Sequence, residues 1–122
     1  MTRLMLVGNF REMGYDDEPG APSLLDVRGK RPPAHKAEVV LYLKKAKSVS
    51  LSPGFLEDFF DPTKSIGTHT MRTDGTYVWP DFLAGYVDRH DVALPDDFER
   101  HMLKRGWKLP DSLDIRSLQL PW

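Results

Sequence analysis

The chain has 122 residues, 40% hydrophobic and 29% charged, with net charge −1 and no cysteine. That size fits one domain able to bury about two thirds of its unfolded surface, and the composition is that of an ordinary globular protein. Disulfides, thiolate metal sites and cysteine nucleophiles are excluded, a reducing compartment is expected, and the apolar run Leu4–Val7 is too short for a signal core or a membrane span. The reading is one cytoplasmic domain over residues 1–122, with no membrane partner.

In chain order, Arg3 to Gly8 reads as a first strand, apolar on both faces and therefore central or well covered. Residues 11–22 form a polar connection rich in Gly and Pro. Ser23 suits the N-cap of a short helix through Val27, closed by Gly29. After the stiff basic spacer Lys30-Arg31-Pro32-Pro33, a helix is expected from Pro33 to about Lys45, with lysines at the end that the macrodipole favours. The run Val39–Leu43 also fits a buried strand, which periodicity alone does not exclude. Lys47–Leu51 alternates as a strand, stopped by Pro53-Gly54. Phe55–Phe60 reads as a helical turn with Asp61-Pro62 as its exit.

Residues 73–80, Thr-Asp-Gly-Thr-Tyr-Val-Trp-Pro, specify a strand, a tight turn, a strand and a helix start. With Asp74-Gly75 as a two-residue loop, Arg72 faces Tyr77, Met71 faces Val78 and Thr70 faces Trp79. One sheet face then carries His69, Met71 and Val78. The other carries Thr70, Arg72, Tyr77 and Trp79, to be covered by a helix or left for a partner. Pro80 opens a helix to about His90 with the apolar stripe Phe82, Leu83, Tyr86 and Val87. A second helix runs from Pro95 to about Arg105; Leu94 and Phe98 are spaced to pack across its start, and Gly106 ends it. Trp107 is placed to fold back on the last turn. Residues 108–122 read as an irregular packed extension docked through Leu113, Ile115, Leu118, Leu120 and Trp122.

The stretch from Ile66-Gly67 through Thr73-Asp74-Gly75-Thr76-Tyr77-Val78-Trp79-Pro80, Leu83–Val87, Val92-Ala93-Leu94-Pro95, Phe98, His101-Met102 and Gly106-Trp107 resembles a group of small uncharacterised bacterial proteins. They share a TDG-x-[YW]-x-W-P pattern, an aromatic helix and then LP-x-x-F. The resemblance covers about a third of the chain, implies a bacterial cytosolic origin and carries no activity.

Candidate chemistry is sparse. None of the four histidines forms an HExxH or an i, i+4 pair. His90 with Asp88 and Asp91 is the nearest local ligand cluster, His69 falls on the Met71/Val78 face, and His101 reads as a half-buried helix residue. Ser48, Ser50 and Ser52 lack a nucleophile elbow, and Glu57, Asp58 and Asp61 read as a solvated acidic loop. No phosphate loop is present. No catalytic residue, metal ligand or cofactor is assigned, and an enzyme reading has no anchor. Charge, by contrast, is segregated: residues 28–47 hold seven Lys or Arg against the single acid Glu38.

The expectation is an α+β domain: a small antiparallel sheet of about four strands (Arg3–Gly8, Lys47–Leu51, Ile66–Arg72, Thr76–Trp79) with helices mainly on one side. The expected function is a non-catalytic protein-binding module, of the kind seen in immunity or inhibitor proteins. Its partner-binding residues would be Arg72, Tyr77 and Trp79 on the hairpin and Lys36, Lys44, Lys45 and Lys47 on the basic segment. The alternative is a nucleic-acid-binding accessory protein using those lysines. A small hydrolase built on His69 or on Asp88, His90 and Asp91 stands third.

Overall fold

The computed structural model describes residues 2–122. The fold is α+β. In chain order its elements are β1 (Thr2–Arg3), β2 (Met5–Leu6), α1 (Leu24–Val27), α2 (Lys36–Lys45), β3 (Lys47–Ser50), β4 (Phe55–Glu57), β5 (Ser65–Thr68), β6 (Met71–Thr73), β7 (Tyr77–Pro80), α3 (Phe82–His90), α4 (Asp96–Lys104) and β8 (Leu118–Gln119). The main sheet has the order β2-β7-β6-β3. Its β7–β6 and β6–β3 pairs are antiparallel, as expected, but β2 joins β7 in parallel, so the sheet is mixed. Among the described residues no helix is long and apolar enough to cross a membrane.

The two faces of this sheet are covered differently. Tyr77 and Trp79 lie with Val39, Tyr42 and Leu43 of α2, Phe82, Leu83 and Tyr86 of α3, and Phe98 and Met102 of α4 in the larger core. Leu4, Met71 and Val78 form a smaller one, closed by Leu118 and Leu120. The C-terminal extension thus packs on both cores, Leu109 against the larger one and Leu118 with Leu120 over the second face, with β8 parallel to β1.

Local choices follow from the side chains. In α2 the buried Val39, Val40, Tyr42 and Leu43 fall on one side, while Leu41, Lys44 and Lys45 are exposed. That helical spacing settles the segment as a helix rather than a strand. Ser23 caps α1 by accepting the N–H of Leu25, and the Glu12 carboxylate takes both the Ser23 hydroxyl at 2.6 Å and the Leu24 N–H at 2.7 Å. At the end of α4 the N–H of Gly106 bonds the carbonyl of Leu103 and that of Trp107 the carbonyl of Met102, both at 2.9 Å. This is a Schellman closure, and it places the Trp107 ring back against the helix.

Three expectations are corrected. Phe55–Glu57 is a strand, not a helical turn, because β4 pairs antiparallel with β5 through Phe55 and Leu56. The expected strand Ile66–Arg72 is broken in two, β5 leaving the main sheet and β6 staying in it. The break lies where α3 crosses: a Cβ on Gly67 would stand 2.9 Å from Phe82 Cα, and one on Gly85 2.5 Å from the carbonyl of Ile66. Helix and strand backbones therefore touch, which only glycine allows.

The hairpin is the third case. Thr73 faces Val78, Arg72 faces Trp79 and Met71 faces Pro80, a shift of two residues from the expected register. Asp74 causes it: its Oδ1 accepts the N–H groups of Thr76 and Tyr77 at 2.9 and 2.8 Å, holding residues 74–77 as a longer loop. Because side chains alternate with period two, the shift keeps Met71 and Val78 apart from Arg72, Tyr77 and Trp79, whereas His69, outside β6, packs against Phe82 of the larger core.

Candidate partner-binding groove

The residues expected to meet a partner on the hairpin are taken up by the fold. Trp79 is fully buried; its Nε1–H donates to the carbonyl of Leu43 at 3.1 Å, and its ring stacks on Tyr42 and lies against Phe98. Tyr77 is buried against Phe98. Arg72 is half-buried, donating from Nε to Asp81 Oδ1 and from Nη1 to the carbonyl of Ala46, both at 2.8 Å. The Arg72/Tyr77/Trp79 face is therefore roofed by α2 and α4 and is not an open surface. The lysines are divided: Lys36 is paired with Asp91 at 2.9 Å, whereas Lys44, Lys45 and Lys47 are exposed.

The histidines stand in separate surroundings. His90 turns away from Asp88 and meets Asp58, with Nε2 2.6 Å from Oδ2; Asp91 is on Lys36. Asp58 is itself buried, contrary to the solvated loop expected, and accepts from Arg89 and from the N–H of Phe60. His69 lies between Tyr15 and Phe82, and burial pushes its pKa down. His101 Nε2 lies 2.9 Å from Asp74 Oδ2, which also accepts the Tyr42 hydroxyl. Burial, reinforced by that carboxylate, drives the Tyr42 pKa far up and keeps the phenol a donor. Among the described residues no buried side-chain nitrogen or oxygen lacks a partner, and no His, Asp and Glu cluster has metal-site geometry. Both Asp–His pairs are closed clamps, each tying a loop to a helix.

One consequence is a pH dependence. Burial alone would raise the Asp58 carboxyl, but hydrogen bonds from His90, Phe60 and Arg89 outweigh it and hold its pKa below the usual carboxylate range. The pairing therefore stabilises the fold above the unfolded value of about 3.9 and is lost as pH falls through the depressed folded value. In denaturant titrations across acidic pH, Asp58→Asn is expected to be less stable than wild type near neutrality and to lose less stability below about pH 5. Parallel curves for the two proteins would refute this role.

The concave surface with unspent chemistry lies on the other side of α2, around Trp107. A cleft of about 310 Å³ is walled by Pro32, Leu94, Leu103 and Trp107, with the Arg31–Glu99 ion pair in its side. Arg31 is buried and bonds Glu99 through Nε at 2.7 Å and the carbonyls of Pro32 and Ala34 through its remaining nitrogens. It pins the loop before α2 onto α4. A second cleft of about 360 Å³ shares Trp107 and runs past Leu41 to Lys45 and Leu109. A third, about 300 Å³, shares Lys45 and Leu109 and ends at Lys47 and Leu113. Trp107 thus stands between the first two clefts and Lys45 with Leu109 between the last two, so the three lie in succession, here called the Trp107 groove.

Trp107 is held in the middle of this groove under strain. Both Trp107 (φ 56°) and His35 (φ 58°) are non-glycine residues in the left-handed region, a conformation that persists only where surroundings enforce it. Their rings pack with centroids 4.3 Å apart, and His35 is further fixed by Glu38, 3.0 Å from its Nδ1. Leu41 and Leu103 flank Trp107, 51% and 54% exposed. The sequence carries a partial signal for this site: Gly106-Trp107 announces a folded-back tryptophan, and Lys45 and Lys47 belong to the basic segment. What joins them to Leu103 and Pro32 is tertiary packing. No family model, curated protein or solved structure matches the chain.

Proposed function

We propose that the protein is a non-catalytic protein-binding module whose contact surface is the Trp107 groove. The observation that carries this reading is the pair of exposed leucines, Leu41 and Leu103, on either side of a tryptophan fixed in a concave surface. Tryptophan in a pocket ringed by apolar groups is the usual centre of a binding hot spot. An immunity- or inhibitor-type role is the narrower form of the same proposal, selected if the partner is a toxin or an enzyme.

The test is affinity capture from a lysate of the source organism with three immobilised forms: wild type, Leu103→Asp in the groove, and Leu51→Asp, an exposed leucine outside it. A protein retained by wild type and Leu51→Asp but lost with Leu103→Asp is the expected result. Retention by all three forms, or by none, would overturn the groove assignment. The nucleic-acid alternative draws support from exposed Lys44, Lys45 and Lys47, but Tyr77 and Trp79 lie in the core and offer no surface on which bases could stack.

A further inference from the structure

The groove is bordered by an excess of unspent positive charge. Lys30 stands in the first cleft and Lys45 and Lys47 line the third, while Lys44, Lys104 and Lys108 are chain neighbours of the lining residues Lys45, Leu103 and Trp107. All six are exposed, and none has a carboxylate partner among the described residues. Of the four carboxylates that line the clefts, Glu99 is held by Arg31 and Glu38 by His35, which leaves Asp96 and Asp111 against the six unpaired lysines. Lysines at helix C-termini are favoured by the dipole alone, but Lys30, Lys47 and Lys108 lie outside any helix, so the helix ends do not account for the patch. Apolar floor and cationic rim together define a complementary occupant.

We infer that the groove receives an acidic peptide segment of a protein partner, with one bulky apolar side chain seated between Leu103 and Trp107 and carboxylates running toward Lys45 and Lys47. The inference rests on the protein-binding reading above and names its partner chemistry. The apolar anchor supplies most of the affinity from a desolvated centre, while the rim lysines set specificity and association rate. Binding should therefore weaken with salt, since the rim charges are solvent-exposed and screened.

The probe is a fluorescein-labelled synthetic peptide with a single tryptophan flanked on both sides by aspartates, titrated with the full chain and read by fluorescence polarisation. Expected is saturable binding that falls about tenfold or more for Leu103→Asp and for the double variant Lys45→Glu/Lys47→Glu. Replacing the peptide's tryptophan by glycine, or its aspartates by lysines, is expected to abolish binding. Trp107→Ala should behave like Leu103→Asp, but Trp107 also closes α4, so the two exposed-site variants carry the test. No binding of the acidic peptide, or equal binding of the lysine peptide, would overturn the inference. Tight binding of a labelled oligothymidine that displaces the peptide would overturn it in favour of nucleic acid. A lysate partner lost with Leu103→Asp yet unaffected by Lys45→Glu/Lys47→Glu would keep the groove as a protein-binding surface and overturn only its acidic ligand.

Discussion

Replacing Asp74 by alanine is expected to lower the free energy of unfolding by about 3–5 kcal/mol, the usual cost of stripping one member from a buried charged network. Asp74 is fully buried, and four groups converge on its carboxylate: the N–H groups of Thr76 and Tyr77, the Tyr42 hydroxyl and His101 Nε2. Its carbonyl accepts from Arg105 as well. One side chain thus fixes the hairpin loop, the middle of α2 and the last turns of α4. Alanine leaves those donors facing an empty space, and the buried Tyr42 hydroxyl and Tyr77 N–H lose their acceptor without water to replace it. Asp74→Asn keeps an acceptor for the two backbone N–H groups and is expected to lose less, about 1–3 kcal/mol. Tyr42→Phe, which removes one donor, should cost about 1 kcal/mol. Guanidinium unfolding of the four proteins gives the ranking. An Asp74→Ala variant within about 0.5 kcal/mol of wild type, the range of ordinary surface changes, would refute the network's role.

The same residue shows how far sequence reasoning reached. Asp74-Gly75 was legible as a turn, because glycine tolerates the positive φ that the turn requires, here 94°. The loop length was not, since it depends on where the Asp74 carboxylate finds its donors. Face assignment survived the two-residue register shift through the parity of the strand, so Met71 and Val78 were correctly set apart from Tyr77 and Trp79. What covers each face was undetermined locally: the Trp79 side is closed by α2 through a bond to Leu43, thirty-six positions away. Helices with strong stripes and caps were readable to within a few residues, as in α3 and α4. The parallel pairing of β2 with β7 left no local trace, because a parallel partner needs no turn between them. Asp58 and His90 belong to separate clusters in the sequence; their contact, like that of Arg31 with Glu99, joins distant segments. Trp107 was placed by its glycine, but the groove it occupies is made by residues from three segments.

Truncating Trp79 to alanine should be the most damaging single change in the hydrophobic core, costing about 3–5 kcal/mol. Its ring is fully buried at the centre of the helix-side face, stacked on Tyr42 with centroids 6.0 Å apart and 5.3 Å from Phe98. The indole N–H also occupies a carbonyl at the end of α2 that the helix itself cannot satisfy. Alanine removes the packing surface of both helices at once and orphans that carbonyl. Trp79→Phe retains most of the volume but not the donor, so its loss should be intermediate. The comparison with Trp107 separates architecture from recognition. Trp79→Ala is expected to shift the unfolding midpoint strongly, while the fraction still folded binds the acidic peptide with wild-type affinity. Leu103→Asp beside Trp107 should leave the midpoint nearly unchanged and weaken the peptide. If Trp79→Phe, still folded at the assay temperature, lost peptide binding while Leu103→Asp retained it, the recognition surface would lie on the hairpin after all, and the roofed face would have to open to bind.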